Sequence, residues 1–470
     1  MSIYSELADI ISSRIEKGYY SIGQRLPSLR LFSKENDVSL GTAQRAYTLL
    51  EEKGLIEPKS RSGYYVRKNT NISHCYKTVD FPQEPVEVPK WDDILDLTFP
   101  PPSSNLIQLG RGLPNIEVQT LKPLLTSLSR SWVKPDLSAL YYDEIKGLYK
   151  LREQISRLLI DSETQVAPEE IIITPGCHAA LSIAIRSICT TGDVVVTDSP
   201  CFHGILNSLQ NIGAKVIEVS SSKNQGMSLE ALELALEQWP VKAILVTPNC
   251  NNPLGYIMPE DKKKDLYLLA RKFDVAIIED DIYGDLAYKY PRPRTIKSYD
   301  IDGRVLLCSS FSKTLAPGLR VGWIVPGRYL EKASYNKYSS ALFLSAAPQK
   351  AIVNFIEAGF YLTHVKRMRN LYARNLAVVK QWVELSFPED VVISEPQGGY
   401  MLWIELPKKV SVTKLNEELI NEGIQISTGR IFSVSDKYNN CIRINFGARL
   451  SPRIKNAIYR IGNSIKNQLL

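Results

Sequence analysis

The chain has 470 residues, of which 44% are hydrophobic and 23% charged, so a disordered protein is excluded and about three domains are expected. The formal charge of +7 permits an acidic partner without requiring one. The start lacks the pattern of a signal peptide and no apolar run approaches a membrane span, so we expect a cytoplasmic protein without membrane contact. Seven scattered cysteines indicate neither a disulfide framework nor a metal site.

Residues 1–68 carry three helical patterns followed by a hairpin. Apolar spacing predicts a helix from Tyr4 to Lys17, Ser28 is expected to cap a second helix, and a third runs from about Ser39 to Gly54. A hairpin with a basic, glycine-bearing tip follows at 59–66. This order predicts a winged helix-turn-helix whose third helix enters the DNA major groove, and a three-helix protein-interaction module is the alternative.

Several segments of this region resemble the GntR family of bacterial transcriptional regulators, among them Arg25-Leu26-Pro27-Ser28-Leu29-Arg30 and Ser62-Gly63-Tyr64. The resemblance implies that the arginine at position 30 and polar residues early in the third helix contact an operator in double-stranded DNA. The candidate DNA-binding residues are Arg30, Ser39, Thr42, Gln44, Arg45, Arg61 and Gly63. Leu40 occupies a position where some relatives place a base-reading arginine, so the operator sequence does not transfer.

Residues 69–105 are rich in proline and show no sustained periodicity, which predicts an extended, semi-rigid linker. One apolar cluster, from Trp91 to Phe99, is expected to dock on a neighbouring domain.

In residues 106–470, apolar strand patterns alternate with amphipathic helices. The alternation predicts an α/β domain with a large, mostly parallel sheet and functional residues at the carboxyl ends of its strands. Long helical patterns and a smaller α+β portion follow from about residue 340.

The most informative stretch is Ser310-Phe311-Ser312-Lys313 with Arg320 seven residues beyond the lysine, directly after an apolar strand pattern. A lysine at such a strand end can form an imine with a carbonyl cofactor, most often pyridoxal 5′-phosphate (PLP). Ser310, Ser312 and Arg320 would then bind the phosphate. A surface lysine beside a Pro-Gly turn is the alternative.

Four other strand ends carry polar or aromatic residues suited to the same cofactor. Gly176 and Cys177 begin a helix whose backbone N–H groups can bind phosphate. Phe202 can stack on a planar ring or lie in a core, and Asn252 can hydrogen-bond a ring hydroxyl. Asp280 ends an apolar strand, where it can pair with a protonated pyridine nitrogen.

In this order, these motifs resemble the class I aminotransferases, which are fold-type I PLP enzymes, over nearly all of residues 106–470. The resemblance implies that Lys313, Asp280 and Tyr283 are catalytic and that Tyr283 also contacts the ring hydroxyl. It implies that Tyr142 reaches the phosphate of a partner subunit, and hence a homodimer. Arg443 matches an arginine that binds the α-carboxylate of the substrate.

The combination of the two parts resembles the MocR family of bacterial regulators. One hypothesis is a transcriptional regulator that senses PLP, an amino acid or an amine through the imine lysine. The other is a working aminotransferase with an accessory DNA-binding domain. The winged helix favours the regulator, because catalysis alone gives no reason to keep it, and turnover stays open because the catalytic residues are present.

Overall fold

A computed structural model of the chain describes residues 3–16, 24–36, 38–52, 55–59, 63–66, 84–89, 106–133 and 142–470. The chain divides into two compact units, Met1–His74 and Cys75–Leu470. Within the described ranges, no helix is long and apolar enough to cross a membrane.

The N-terminal unit is the predicted winged helix. Its elements are α1 (Ile3–Glu16), α2 (Leu29–Glu35), α3 (Leu40–Glu52), β1 (Ile56–Lys59) and β2 (Gly63–Val66). Ser28 caps α2, because its side chain accepts a hydrogen bond from the Leu31 N–H at 3.3 Å. Tyr47 of α3 is fully buried, its hydroxyl donates to the Pro27 carbonyl at 2.9 Å, and its ring packs on Phe32. The three helices and the hairpin therefore share one core.

The C-terminal unit contains a nine-stranded sheet among the described residues. Along its main path the strands are β3 (Val86–Glu87), β7 (Lys215–Ser222), β6 (Val194–Ser199), β9 (Val241–Val246), β10 (Ala276–Asp280), β11 (Val305–Ser310), β12 (Gly322–Val325) and β5 (Ile172–Thr174), with β8 (Gly226–Met227) paired to β7. The strands from β7 to β11 are parallel, as predicted. Strand β12 runs antiparallel between β11 and β5, a feature the sequence patterns did not predict.

Helices cover both faces of this sheet, because the strand residues are apolar on both sides. Val195 and Val216 face a core shared with α6 (Cys177–Ile188) and α7 (His203–Ile212). Val194 and Val196 face the opposite core, which contains residues of α8 (Leu229–Gln238) and α9 (Glu260–Lys272). The alternation follows from the two-residue period of a strand, and it places the strand ends at one edge of a rigid layer.

The proline-rich segment contributes a strand to the sheet. Val86 and Glu87 form β3 and pair antiparallel with Val216 and Lys215 of the edge strand β7. Only residues 84–89 of the predicted linker are described, and the proposed docking cluster from Trp91 to Phe99 lies outside the described residues. The docked segment was not predicted, because two paired residues between prolines leave no periodic pattern in the sequence.

The C-terminal part builds a second, four-stranded antiparallel sheet in the order β13 (Val392–Ile393), β14 (Met401–Glu405), β17 (Cys441–Asn445) and β16 (Ser427–Thr428). Strand β15 (Ile424–Gln425) pairs with β4 (Ile107–Gln108), which brings the start of the domain back to its C-terminal part. The remaining helices are α4 (Lys122–Val133), α5 (Tyr149–Leu159), α10 (Leu330–Ala341), α11 (Ala346–Glu357), α12 (Phe360–Ser386), α13 (Val412–Asn421) and α14 (Pro452–Asn467).

Candidate functional site

Lys313 lies just after β11, and its ammonium group is held inside the domain. The Nζ atom donates to the Gly112 carbonyl at 2.7 Å and lies 6.0 Å from the centroid of the Tyr283 ring. Burial and the positive charge of Arg443 lower the pKa of Lys313 to about 8, although Asp280 opposes the shift. A lysine with this pKa is partly neutral near physiological pH, which is the form that attacks a carbonyl carbon.

Asp280 ends β10 and is only 4% exposed. Its Oδ1 accepts from the Ile282 N–H at 3.1 Å and from the Cys177 thiol at 3.5 Å. Burial nevertheless raises the pKa of Asp280 to about 6, because these contacts do not offset the loss of hydration. The site thus contains a buried carboxyl group that a cationic partner would keep ionised.

The start of α6 forms a cradle with Arg320. Gly176 has φ +93°, and a Cβ built on it would lie 2.5 Å from Arg320 Nη2, so glycine is required for this approach. The same Nη2 donates to the Pro175 carbonyl at 2.6 Å. Ser310 Oγ accepts from the Ser312 N–H at 3.2 Å, while Ser312 Oγ is buried with no hydrogen-bond partner in the described chain. Helix N–H groups, an arginine and an unsatisfied hydroxyl fit a phosphate group.

Arg443, on β17, is a buried cation with neutral partners. It is 3% exposed, its Nη1 donates to Asn252 Oδ1 at 2.8 Å, and its Nη2 donates to the Gly110 carbonyl at 2.6 Å and to Ser427 Oγ at 3.2 Å. Its Nε has no partner, and no carboxylate of the described residues forms an ion pair with it. Burial lowers the pKa of Arg443 to about 10. A buried guanidinium without an anion is suited to a ligand carboxylate.

The segment 110–113 crosses the site, and sequence reasoning missed its role. The Gly112 carbonyl accepts from both Lys313 and the Tyr400 hydroxyl, the latter at 3.3 Å. Asn445 Nδ2 holds the segment by donating to the carbonyls of Arg111 at 2.6 Å and Leu113 at 2.8 Å. The sequence around Gly110 and Gly112 is typical of a turn, and nothing in it indicates that a backbone carbonyl there would contact the lysine.

The two predicted aromatic contacts lie in different surroundings. Phe202 precedes α7, half-buried, with its ring 4.5 Å from the ring of His203. Tyr142 is 82% exposed, and its ring stacks on that of Phe343 with the centroids 4.6 Å apart. His203 was not predicted as a site residue; its Nδ1 is buried without a partner, and burial together with Arg443 lowers its pKa to about 3.

All candidate DNA-binding residues belong to the N-terminal unit, and the structure describes each of them except Arg61. Arg30, Gln44 and Arg45 are exposed, although the Arg45 guanidinium also lies 5.9 Å over the Tyr4 ring. Ser39 Oγ accepts from the Thr42 N–H at 3.1 Å and lies 2.9 Å from Thr42 Oγ1, so it caps α3.

Gly63 begins β2 with φ +107°, and a Cβ there would lie 3.3 Å from Nε of Arg25. Arg25 is exposed and lies beside Gly63, although it had not been predicted to contact DNA. Within the described ranges, no group of three or more His, Cys, Asp or Glu residues could bind a metal ion.

Comparison with known proteins assigns both units. Residues 3–66 match the bacterial regulatory proteins of the gntR family, and residues 136–461 match the aminotransferases of class I and II. Among solved structures, the kynurenine aminotransferase of Pyrococcus horikoshii is 29% identical with a TM-score of 0.72, and the match covers 78% of this chain and 92% of that one. A multiple substrate aminotransferase of Thermococcus profundus is 25% identical with a TM-score of 0.73, covering 81% and 96%. The fold and the site therefore define a winged helix joined to an aminotransferase domain.

Two full-length relatives share this organisation. The HTH-type transcriptional regulator YjiR of Escherichia coli is 46% identical over 465 residues, covering 99% of each chain. YdcR of the same organism, also named an HTH-type transcriptional regulator, is 30% identical over the whole of both chains. The chain belongs to the MocR-type GntR regulators, whose aminotransferase-like fold implies dependence on PLP.

Proposed function

We propose that this protein is a cytoplasmic, homodimeric transcriptional regulator that binds PLP and changes its affinity for operator DNA when an amino compound reaches the Lys313 site. The observation that carries the proposal is the pairing, in one chain, of a winged helix with a site in which buried Arg443 and Asp280 lie close enough to Lys313 to shift its pKa. Catalysis needs the second part, and only regulation also needs the first.

Each proposed PLP contact matches the chemistry of one group of the cofactor. When bound, PLP supplies an aldehyde that combines with amines and a ring that withdraws electrons. Lys313 contributes the amine, Asp280 the anion beside the pyridine nitrogen, and Tyr283 a phenol that burial keeps protonated by raising its pKa. The remaining proposed contacts are Asn252 to the ring hydroxyl, Phe202 to the ring face, and Gly176, Cys177, Ser310, Ser312 and Arg320 to the phosphate.

The proposed ligand is an α-amino acid, since Arg443 is a cation with neutral neighbours in a closed environment. A carboxylate can accept from Nη1 and Nη2 in a planar pair of hydrogen bonds, and the charge-assisted contact is stronger in a desolvated site. Asn252 and the Gly110 carbonyl orient the guanidinium plane before the ligand arrives. An amine without a carboxylate leaves Arg443 without an anion, and we expect it to bind more weakly.

The proposed dimer rests on Tyr142. Its exposed ring is fixed by Phe343 and can reach a second copy, consistent with the expected contact to a partner's phosphate group. Two winged helices in one dimer would read paired operator half-sites.

Slow transamination by the same site is the second candidate function. The lowered pKa of Lys313 favours it, because the neutral amine is the form that moves a proton as a general base. Transamination and regulation would use the same ligand contacts. A change in operator affinity when the ligand binds is therefore the observation that distinguishes a regulator from an enzyme.

The experiment compares two stable probes on the full-length, PLP-free protein. N-(5′-phosphopyridoxyl)-glycine carries the carboxylate common to all α-amino acids, and pyridoxamine 5′-phosphate lacks it. Arg443→Ala should weaken binding of the glycine adduct about 100-fold, as for truncation of a buried charge pair, and leave pyridoxamine phosphate nearly unaffected. Arg449→Ala, which removes an exposed arginine, is the control. Equal losses for both probes would contradict the assignment of Arg443.

A further inference from the structure

The segment 432–438 of the C-terminal part contacts the large sheet, or the residues that directly follow its strands, at three points. The Cys201 N–H donates to the Phe432 carbonyl at 2.8 Å. Ser199 Oγ lies 3.0 Å from the Tyr438 hydroxyl. Between these contacts, Glu218 of β7 accepts three hydrogen bonds from the segment.

Glu218 is a buried carboxyl group that plays no part in the proposed cofactor site. Its Oε2 accepts from Ser433 Oγ at 2.7 Å and Ser435 Oγ at 2.9 Å, and its Oε1 accepts from the Val434 N–H at 3.1 Å. Burial raises its pKa, which the hydrogen bonds and the nearby Lys437 oppose. A buried acid is costly unless it is hydrogen-bonded, so the segment and the strand are held in one arrangement.

One end of this connection supports the ligand arginine. The Arg443 guanidinium lies 4.9 Å over the ring of Phe432, and that ring also packs edge-on against Trp403 at 5.2 Å. Phe432 directly precedes the three residues that Glu218 holds. A shift of the guanidinium toward a carboxylate would therefore change its contact with the Phe432 ring as well as its three hydrogen bonds.

The other end supports the linker. Strand β7, which carries Glu218, pairs with β3 through Val216 and Lys215. Val88, 7% exposed, packs into the core beside Val216, and Gln210 Nε2 donates to the Pro89 carbonyl at 3.1 Å. From this docked segment, the chain runs through residues 67–83 to the winged helix.

We propose that Glu218 is a positioning residue that couples binding of a carboxylate at Arg443 to docking of the linker strand on β7. The inference rests on the proposed function and specifies how the site would regulate DNA binding. A ligand shifts an equilibrium only through contacts that differ between the two states. The two states here are a linker strand held tightly or loosely at the sheet edge, with Phe432 and Glu218 adjusting together.

Hydrogen exchange in the full-length protein tests the connection directly. Adding N-(5′-phosphopyridoxyl)-glycine to the wild type should change the exchange rates of the amides at 86–88 and at 432–435, whereas pyridoxamine phosphate should not. In Glu218→Gln, which keeps the side-chain shape but loses the charge and one acceptor, the response at 432–435 should persist and the response at 86–88 should disappear. If Glu218 has only a structural role, the ligand should not change the exchange rates of the amides at 86–88 in either protein. That result, or an intact response in Glu218→Gln, overturns the coupling.

A matched pair of linker variants tests whether docking of the linker strand on β7 affects operator binding. Val88→Asp places a charge in the core and releases the strand, whereas Val86→Asp changes a residue 39% exposed on the same strand. Val88→Asp should lose the adduct's effect on operator affinity and, because the coupling is reciprocal, should bind the adduct with altered affinity, whereas Val86→Asp should behave as the wild type in both measurements. A retained effect in Val88→Asp also overturns the coupling.

The two proposals fail in different ways. If the adduct changes exchange at 86–88 in the wild type but leaves operator affinity unchanged, the proposed function is wrong and the coupling stands. If operator affinity responds while 86–88 does not, the function stands and the coupling is wrong. Ser435→Ala removes one donor to Glu218 without altering the acid, and it should partially reduce the change in exchange at 86–88. This variant keeps the proposal testable if Glu218→Gln does not fold.

Discussion

The candidate cofactor site and the candidate DNA surface use the same residue types in opposite environments. Arg443 and Ser310 are buried among backbone and side-chain partners, whereas Arg30 and Ser39 are exposed to solvent. Burial strengthens each electrostatic contact and shifts pKa values, while water and salt weaken the contacts of exposed groups. Single substitutions should therefore abolish function in the first region and reduce it by degrees in the second.

The largest effect is expected at Lys313. Lys313→Ala should eliminate specific covalent labelling by PLP after borohydride reduction, because Lys313 is the lysine that the described residues place in the candidate site. Mass spectrometry of tryptic peptides measures the labelling. Lys337→Met is the matched control, since burial also lowers the pKa of Lys337 to about 8. Labelling of Lys337 would show that a low pKa rather than this position selects the lysine, and specific labelling that persists elsewhere in Lys313→Ala would contradict the assignment of Lys313.

The second effect concerns Asp280, where one substitution should raise the stability of the PLP-free protein and weaken PLP binding. Its pKa rises from an ordinary 3.8 to about 6, so the folded state binds more protons than the unfolded state between these values. Stability contributed by Asp280 therefore falls as pH rises through this window, and above it the charge costs about 3 kcal/mol. Asp280→Asn should stabilise the PLP-free protein by up to this amount at pH 7, while weakening PLP binding.

Urea unfolding of the PLP-free proteins measures the difference in free energy of unfolding. The gain should shrink as the pH is lowered from 7 to 4, because Asp280 then becomes protonated in the folded state. A variant that is less stable than wild type at pH 7 would contradict the pKa assignment.

The third effect concerns Arg30 on the DNA surface. Arg30→Ala should weaken operator binding and reduce the slope of log affinity against log salt by about 1, as for one lost phosphate contact. Lys34→Ala removes the same charge from the last turn of α2 and serves as the control. Equal slopes for Arg30→Ala and wild type would exclude a phosphate contact.

The smallest effect is expected at Ser39, which caps α3. Ser39→Ala should cost about 1 kcal/mol of local stability, measured by hydrogen exchange of α3 in the full-length protein. Ser39→Asp retains a capping oxygen, so stability should be preserved while the added negative charge weakens DNA binding. If both variants bind DNA like the wild type, Ser39 has only the capping role.

The same contrast explains what the sequence could predict. Asp280 ends one apolar strand and Lys313 follows another, so the sequence pattern alone locates both at strand ends. Because these strands are parallel, their carboxyl ends lie at the same edge of the sheet. Gly112 and Asn445 were missed as site residues, because a backbone carbonyl and the amide that holds its segment carry no motif. The docked strand at Val86 was missed for a related reason: its partner strand is about 130 residues away in the sequence, and long-range pairing is decided by the completed sheet edge.

The central claim is that an amino ligand in the C-terminal unit controls DNA binding. The direct measurement is fluorescence anisotropy of a duplex selected by the protein from a random library, with PLP-loaded full-length protein at fixed salt and each of the common amino acids in turn. The account predicts that at least one amino acid changes duplex affinity about 5- to 150-fold, and that Arg443→Ala binds the duplex but does not respond. Unchanged affinity with every amino acid, together with transamination at about 1–10³ per second, would contradict it.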